Sequence, residues 1–256
     1  MILRRLGNKQ AIAKEIIKYF PEHDIYIDFF FGAGGIFFNK QPAKYNYLND
    51  IDNNVYNCFD VLIRHKEELT KYINLIPYHS SFWNECKTRK PDNNVEKAVY
   101  FLVLSNFGYM GMPQTLHFKS DNSKKILLQN FEKTYLFLVR NENKFLNCDF
   151  REVLKKISFR SEKEKTNAFI YADPPYLNTT NNYEYSFTEQ DSIDLFNILQ
   201  NSGIRWAMSE FKNDFIIEQT RERGLNVITI GERRTMKNRN TEILITNYKE
   251  NKTLFN

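Results

Sequence analysis

Asp173-Pro174-Pro175-Tyr176 follow directly on the apolar run Phe169-Ile170-Tyr171-Ala172, and their types suit work on a planar amino group. A carboxylate and an adjacent backbone carbonyl, those of Asp173 and Pro174, can accept both hydrogens of an exocyclic amine such as adenine N6. The nitrogen lone pair, otherwise delocalised into the ring, is then held toward an electrophile, and the positive charge that develops is stabilised. Pro174 and Pro175 fix φ and remove backbone donors, so the carbonyls present themselves with less ordering cost. Tyr176 offers a flat face on which an extruded base can stack. The competing reading is a rigid turn after a buried strand.

A second chemical signal lies upstream. Ile25 to Phe30 reads as a strand that runs into Phe31-Gly32-Ala33-Gly34-Gly35, where small residues leave amide N–H groups open to a ligand. The spacing is not the phosphate-binding GxGxxG, so it suits a cofactor without a pyrophosphate; a carboxylate or a ribose fits there, or the turn is bare. Asp50 ends the next strand, Tyr45 to Asn49, near the ~20-residue interval expected for a ribose-binding acid, and Asp52 competes for that role. Asp149, after the strand expected at Phe145 to Cys148, reads either as an acceptor for a cofactor amino group or as a helix cap.

These residues require a scaffold, and the periodicity supplies one. A helix is expected over residues 8–20, stopped by Pro21, and another opening at Ile36-Phe37-Phe38. From Asn53 to about Asn143 the pattern is helical, as over Val95 to Leu104, with a Gly-rich stretch around Phe107 to Pro113. Alternation then resumes, with strands at 145–148, 168–172, 204–208, 225–230 and 242–248 and helices at 152–157, 190–200 and 213–223. The expected class is α/β with an inserted, mostly helical module. Residues 1–52 and 144–256 would form the catalytic domain and 53–143 the insertion.

The 256 residues carry a formal net charge of +5, which suits a polyanionic partner without requiring one. Arg221, Arg223, Arg233, Arg234, Lys237 and Arg239 gather as a candidate phosphate-contacting cluster, whereas Lys163 and Lys165 alternate with Glu162 and Glu164 in what reads as a solvated loop. The three cysteines lack a CxxC pair and read as reduced. No apolar run is long enough to span a membrane, and the first nine residues lack a leader's apolar stretch, so a cytoplasmic location is expected.

Taken together, Leu6-Gly7-Asn8-Lys9, Asp28-Phe29-Phe30-Phe31-Gly32-Ala33-Gly34, Asp50, Asn147-Cys148-Asp149-Phe150, Asp173 to Tyr176 and Asn240 to Tyr248 resemble, in order, the motifs of the Dam-like (alpha-class) N6-adenine DNA methyltransferases. The match covers nearly the whole chain. The resemblance implies a Rossmann-like S-adenosylmethionine-dependent methyltransferase sheet with an antiparallel final strand and an inserted target-recognition domain. S-adenosyl-L-methionine would be held by Gly7, Asn8, Lys9, Asp28, Phe30, Gly32, Ala33, Gly34, Asp50, Asp149, Phe150 and Asp173. Asp173 to Tyr176 would be catalytic, with direct methyl transfer and no metal. Double-stranded DNA is the implied partner, GATC the first target sequence suggested, and a cognate restriction endonuclease a second partner. A monomer suffices.

Tyr109, Gln114, His117, Lys119 and Lys124 are placed to reach bases or phosphates, as are Arg233, Arg234, Lys237 and Arg239. The Asn-rich segment Leu177 to Phe187 reads as a lid. The chain departs from the family pattern at Arg5, where an aromatic residue is usual, and at Phe29, where proline is common. Methylation of RNA adenine or cytosine N4, and a non-catalytic DNA-binding homologue, are the alternatives. Asp at the head of the catalytic motif favours adenine, and the large insertion favours duplex DNA.

Overall fold

Side chains alternate across a pleated strand, and here that alternation divides the core in two. Ile25 and Ile27 enter one apolar cluster with Ile170, Trp206 and Ile245, while Tyr26 enters a second with Phe169, Tyr171 and Leu244 on the opposite face. The computed structural model describes every residue except 6, 78, 118–122, 178–186, 235–238 and 250–256; the side chains of residues 110 and 234 also lie outside the description. The lid expected at 177–187, and Lys119 and Lys237, therefore fall largely or wholly outside it, and only the backbone of Arg234 falls within it.

In chain order, helix α1 (Ala13–Ile17) precedes strand β1 (Ile25–Asp28), and β2 (Tyr45–Asn49) leads into α2 (Asn53–Arg64), α3 (Lys66–Leu75), α4 (Ser80–Thr88), α5 (Asn94–Phe107) and α6 (Ser123–Val139). Then follow β3 (Glu142–Leu146), α7 (Glu162–Thr166), β4 (Ala168–Ala172), α8 (Glu189–Asn201), β5 (Arg205–Phe211), α9 (Asp214–Glu222), β6 (Asn226–Arg234) and β7 (Arg239–Thr246). The strands form one sheet in the order β3-β2-β1-β4-β5-β7-β6. The first five pair in parallel, and β7 runs antiparallel between β5 and β6. This is the Rossmann-like sheet with a reversed final strand that the sequence implies. α8 and α9 cover one face, through Leu195, Phe196, Leu199 and Ile216. α2 to α6 share the other face's core, through Phe59, Leu62, Leu102 and Phe131. No helix among the described residues is long and apolar enough to cross a membrane.

Several expected elements differ. The helix over 8–20 shrinks to a 3-10 turn, Gln10–Ile12, and α1, because Asn8 Oδ1 accepts from Gln10 N at 3.0 Å and turns the chain before the helix can start. The helix opening at Ile36 is only a 3-10 turn, Phe37–Asn39; Pro42 closes the short crossover, and Phe37 is drawn into the core. Two 3-10 turns, Phe150–Glu152 and Leu154–Lys156, replace the helix at 152–157. β3 begins three residues earlier than expected because this edge strand is only half-buried and shows little apolar signal. The 162–165 charge run is the helix α7, capped by Ser161. β6 and β7 run longer than their apolar cores, joined by pairs out to Arg234↔Arg239.

Candidate active site

β1 and β4 are neighbours, but the chain leaves them for opposite sides of the sheet, so their carboxyl ends flank the crevice where such sheets bind ligands. Asp28 closes β1 and Asp173 follows β4, and both line one cleft with Gly7, Asn8, Lys9, Phe30, Gly32, Ala33 and Asp50. Arg5, Asp52 and Pro175 complete its polar and apolar walls. Of the twelve residues expected at the cofactor, Gly34, Asp149 and Phe150 do not line this cleft. Phe150 packs behind it, its ring 5.5 Å from that of Phe30. Asp149 accepts from Arg151 N and pairs with the Arg151 guanidinium at 3.3 Å, the helix-capping alternative.

The glycine turn is held from two sides. Gly34 has φ +73, and an added Cβ would lie 2.5 Å from Phe38, so neither the conformation nor the space admits a side chain. At Gly35 a Cβ would meet Asn8 Oδ1 at 2.1 Å and Lys9 N at 3.1 Å; the amino-terminal segment is pressed against the turn. Asp50 Oδ2 accepts from Gly32 N at 2.6 Å and Oδ1 from Asp52 N at 2.9 Å. Each carboxylate oxygen retains a second lone pair for a ligand. Asp52 instead caps α2 and pairs with Arg5 at 3.0 Å. Burial raises the Asp50 carboxyl, opposed by Arg5. Asn49, unnoticed in the sequence, clamps the strand ends by donating to the Phe29 and Cys148 carbonyls and accepting from Cys148 N.

A buried carboxyl sets the electrostatics of the floor. Asp28 accepts from Tyr26 Oη at 2.9 Å, and burial pushes its pKa up to about 8 despite that bond. A neutral carboxyl in a cleft is poised to ionise when a cation arrives.

Lys9 is only 3% exposed, not the solvated residue a lysine at a helix start usually is. Its Nζ lies 2.7 Å from Asp173 Oδ1, 3.7 Å from Glu242 Oε1 and 4.4 Å from the Tyr176 ring centre. Glu242 is fully buried on β7, accepts from the Tyr176 hydroxyl, and faces Arg233 Nη1 at 3.3 Å. Burial raises Glu242, with Lys9 opposing. Glu210 on β5 is also buried; its Oε1 accepts from Phe211 N, and burial raises it strongly. Glu242 and Glu210 were not singled out in the sequence. The signal available was a carboxylate inside an apolar strand, Glu242-Ile243-Leu244-Ile245, which is rarely buried without a partner.

The residues expected at DNA divide. Tyr109, Gln114 and His117 are exposed on the turn after α5, closed by a Gly108↔Leu116 bridge, with the Tyr109 and His117 rings 5.8 Å apart. Arg239 is exposed at the start of β7. Lys124 Nζ donates to the Asn74 and Ile76 carbonyls, and Arg233 is committed to Glu242 and the Asn8 carbonyl.

A ligand cleft at the switch point, walled by a glycine turn and by Asp173 and Pro175, with Pro174 and Tyr176 of the same loop outside its lining, on a sheet with a reversed last strand, fits the Rossmann-like methyltransferases. Within that class, the model of the "D12 class N6 adenine-specific DNA methyltransferase" family matches residues 6–236, and the chain belongs to this family. It is 25% identical over 303 aligned positions to the modification methylase StsI of Streptococcus sanguinis, covering 98% of this chain but 43% of that protein, so the chain spans less than half of StsI. It is 21% identical to the Type II methyltransferase M1.LlaDCHI of Lactococcus lactis subsp. cremoris, covering 94% and 93%. It is 25% identical to a DNA adenine methylase of Vibrio cholerae, covering 91% and 88%.

Proposed function

We propose that this protein methylates N6 of adenine in duplex DNA, using S-adenosyl-L-methionine. The observation that carries the reading is that Asp173 and the glycine turn open into one cleft, so an amino group held by Asp173 stands beside the cofactor's place. The residues fit the cofactor: Asp28 offers a carboxyl ready to ionise against a cation, the turn at Gly32 and Ala33 admits close backbone approach, and Asp50 has lone pairs for ribose hydroxyls. The bound cofactor supplies a methyl on a sulfonium, an electrophile that needs no covalent enzyme intermediate.

The protein's share is positioning and charge. Asp173 and the Pro174 carbonyl accept the two amino hydrogens and hold the nitrogen lone pair toward the cleft. Tyr176 contributes its ring, fixed through its hydroxyl on Glu242 and edge-on to Phe211 at 4.5 Å. As nitrogen gains the methyl, the excess positive charge is relieved by loss of one N6 proton to Asp173 and then to water. The adenine is read as flipped from the duplex, since the carboxylate lies in a crevice that a stacked base does not reach. Residues 53–143 act as the target-recognition unit, with Tyr109, Gln114 and His117 its outward groups, and Arg239 on β7 adds a cation outside it. The names of StsI and M1.LlaDCHI support a modification role beside a restriction endonuclease.

The test is methyl transfer from labelled S-adenosylmethionine to unmethylated genomic DNA, with nucleoside analysis and site mapping, and GATC duplexes as the first defined substrate. Label in N6-methyladenine at one short sequence is expected. Label in N4-methylcytosine, or only with RNA, overturns the substrate.

A further inference from the structure

We propose that Glu242 is a positioning residue for methyl transfer: it takes the Lys9 ammonium from Asp173 when a target amino group arrives, while fixing Tyr176 by its hydroxyl.

The geometry carries this in three steps. Asp173 Oδ1 pairs with Lys9 at 2.7 Å, so an amino group that draws on the Asp173 carboxylate competes with the ammonium for its charge. A buried ammonium cannot simply be released, because an unpaired charge out of water is strongly disfavoured. Glu242 Oε1 is the second carboxylate within reach of the same Nζ, at 3.7 Å, so a shift of at least about 1 Å brings the ammonium into direct contact with Glu242 and loosens its hold on Asp173.

Glu242 is also placed to keep its charge through the exchange. The charged and titratable groups around it are Lys9, Asp173, Tyr176 and Arg233. Arg233 neutralises its other oxygen at 3.3 Å. Two cations, Lys9 and Arg233, face two carboxylates, Asp173 and Glu242, and the pairing is balanced before and after Lys9 moves. Its site on β7, sandwiched between β5 and β6, gives it a fixed position against which the more mobile lysine chain can shift.

The inference rests on the reading that Asp173 receives the amino group. The full chain is assayed with S-adenosylmethionine and unmethylated duplex DNA. Glu242→Gln keeps the shape and an acceptor for the Tyr176 hydroxyl but removes the charge that attracts Lys9. We expect kcat to fall about tenfold or more, with KM for both substrates within about threefold and the melting temperature retained. Glu242→Asp should recover part of the loss. A wild-type kcat in Glu242→Gln overturns the proposal, as does a fall in kcat matched by lost cofactor affinity or lost thermal stability. Tyr176→Phe separates the two contacts: if it loses as much rate as Glu242→Gln, Glu242 acts through tyrosine alone and the exchange is wrong. Asp173→Asn separates the readings. Full activity there sinks the role of Asp173, whereas an inactive Asp173→Asn beside a fully active Glu242→Gln sinks the exchange only.

Discussion

Lys9 Nζ stands 2.7 Å from Asp173 Oδ1, so a residue from the amino-terminal segment and the first residue of the Asp-Pro-Pro-Tyr loop form one ion pair at the cleft. Removing either side leaves a buried or half-buried charge without its partner.

Lys9→Met is therefore expected to lower transfer by about two orders of magnitude or more, and Lys9→Arg to give little rescue, because a planar fork cannot occupy the point between Asp173, Glu242 and the Tyr176 ring. Steady-state rates on unmethylated duplex check both. Near-normal activity in Lys9→Met would show the pair to be dispensable.

Asp173→Ala should abolish transfer and largely spare duplex binding, since phosphate contacts dominate DNA affinity. Parallel loss in a gel-shift titration and in the methyl transfer assay would contradict that division of labour.

For Tyr176 the ring and the hydroxyl have separate tasks. Tyr176→Ala should cost roughly 1 to 3 kcal/mol of target-base stabilisation if the ring stacks on the base, and Tyr176→Phe less, since the ring remains. Fluorescence of a 2-aminopurine placed at the target reports extrusion of the base, and an unchanged signal in the alanine variant would remove the stacking role.

Asp28 predicts a proton balance. Its pKa is pushed up to about 8 by burial, so between about pH 3.8 and 8 the folded chain keeps a proton that the unfolded chain has lost, and stability declines as pH rises through that window. A cationic ligand against Asp28 favours the carboxylate, so cofactor binding below about pH 8 should release a proton. Calorimetry in two buffers of different ionisation enthalpy measures it. Binding enthalpies that do not depend on the buffer would place the cation elsewhere.

Gly35→Ala tests how the amino-terminal segment is seated. The new Cβ would meet Asn8 Oδ1 at 2.1 Å and the Gln10 and Lys9 amides near 3 Å, so the Asn8-to-Gln10 turn must shift and Lys9 with it. The expected result is a rise in KM for the cofactor and a fall in kcat in a protein that remains folded by circular dichroism. Wild-type kinetics would show that the segment yields without moving Lys9.

Much of this site could be read in the chain because its parts are local in sequence. The Asp173 loop follows a five-residue apolar strand without interruption, and the glycine turn follows another, so composition alone located both ends of the cleft. Asp50 was placed by its interval from Gly32, and the structure joins the two by a 2.6 Å hydrogen bond. What could not be read was non-local. Nothing in Glu242-Ile243-Leu244 tells that its carboxylate meets a lysine from the other end of the chain, and Arg233 looked like one of a basic cluster until the sheet turned it inward. The short 3-10 turns were missed for a related reason: apolar spacing at 8–20 fits a helix, but the Asn8 side chain competes for the first amide.

The closeness of Lys9, Asp173 and Glu242 also bears on when the enzyme can exist. These residues come from the first, third and last parts of the sequence, and β7 enters the sheet between two strands made before it. This cluster thus has a very high contact order, the kind that forms late in folding. A nascent chain still lacking residue 242 has the glycine turn and the Asp-Pro-Pro-Tyr loop, but a lysine with only half its counter-charge and a tyrosine whose hydroxyl lacks its carboxylate acceptor. Activity should appear abruptly, once β7 has emerged from the ribosome, rather than grow with chain length.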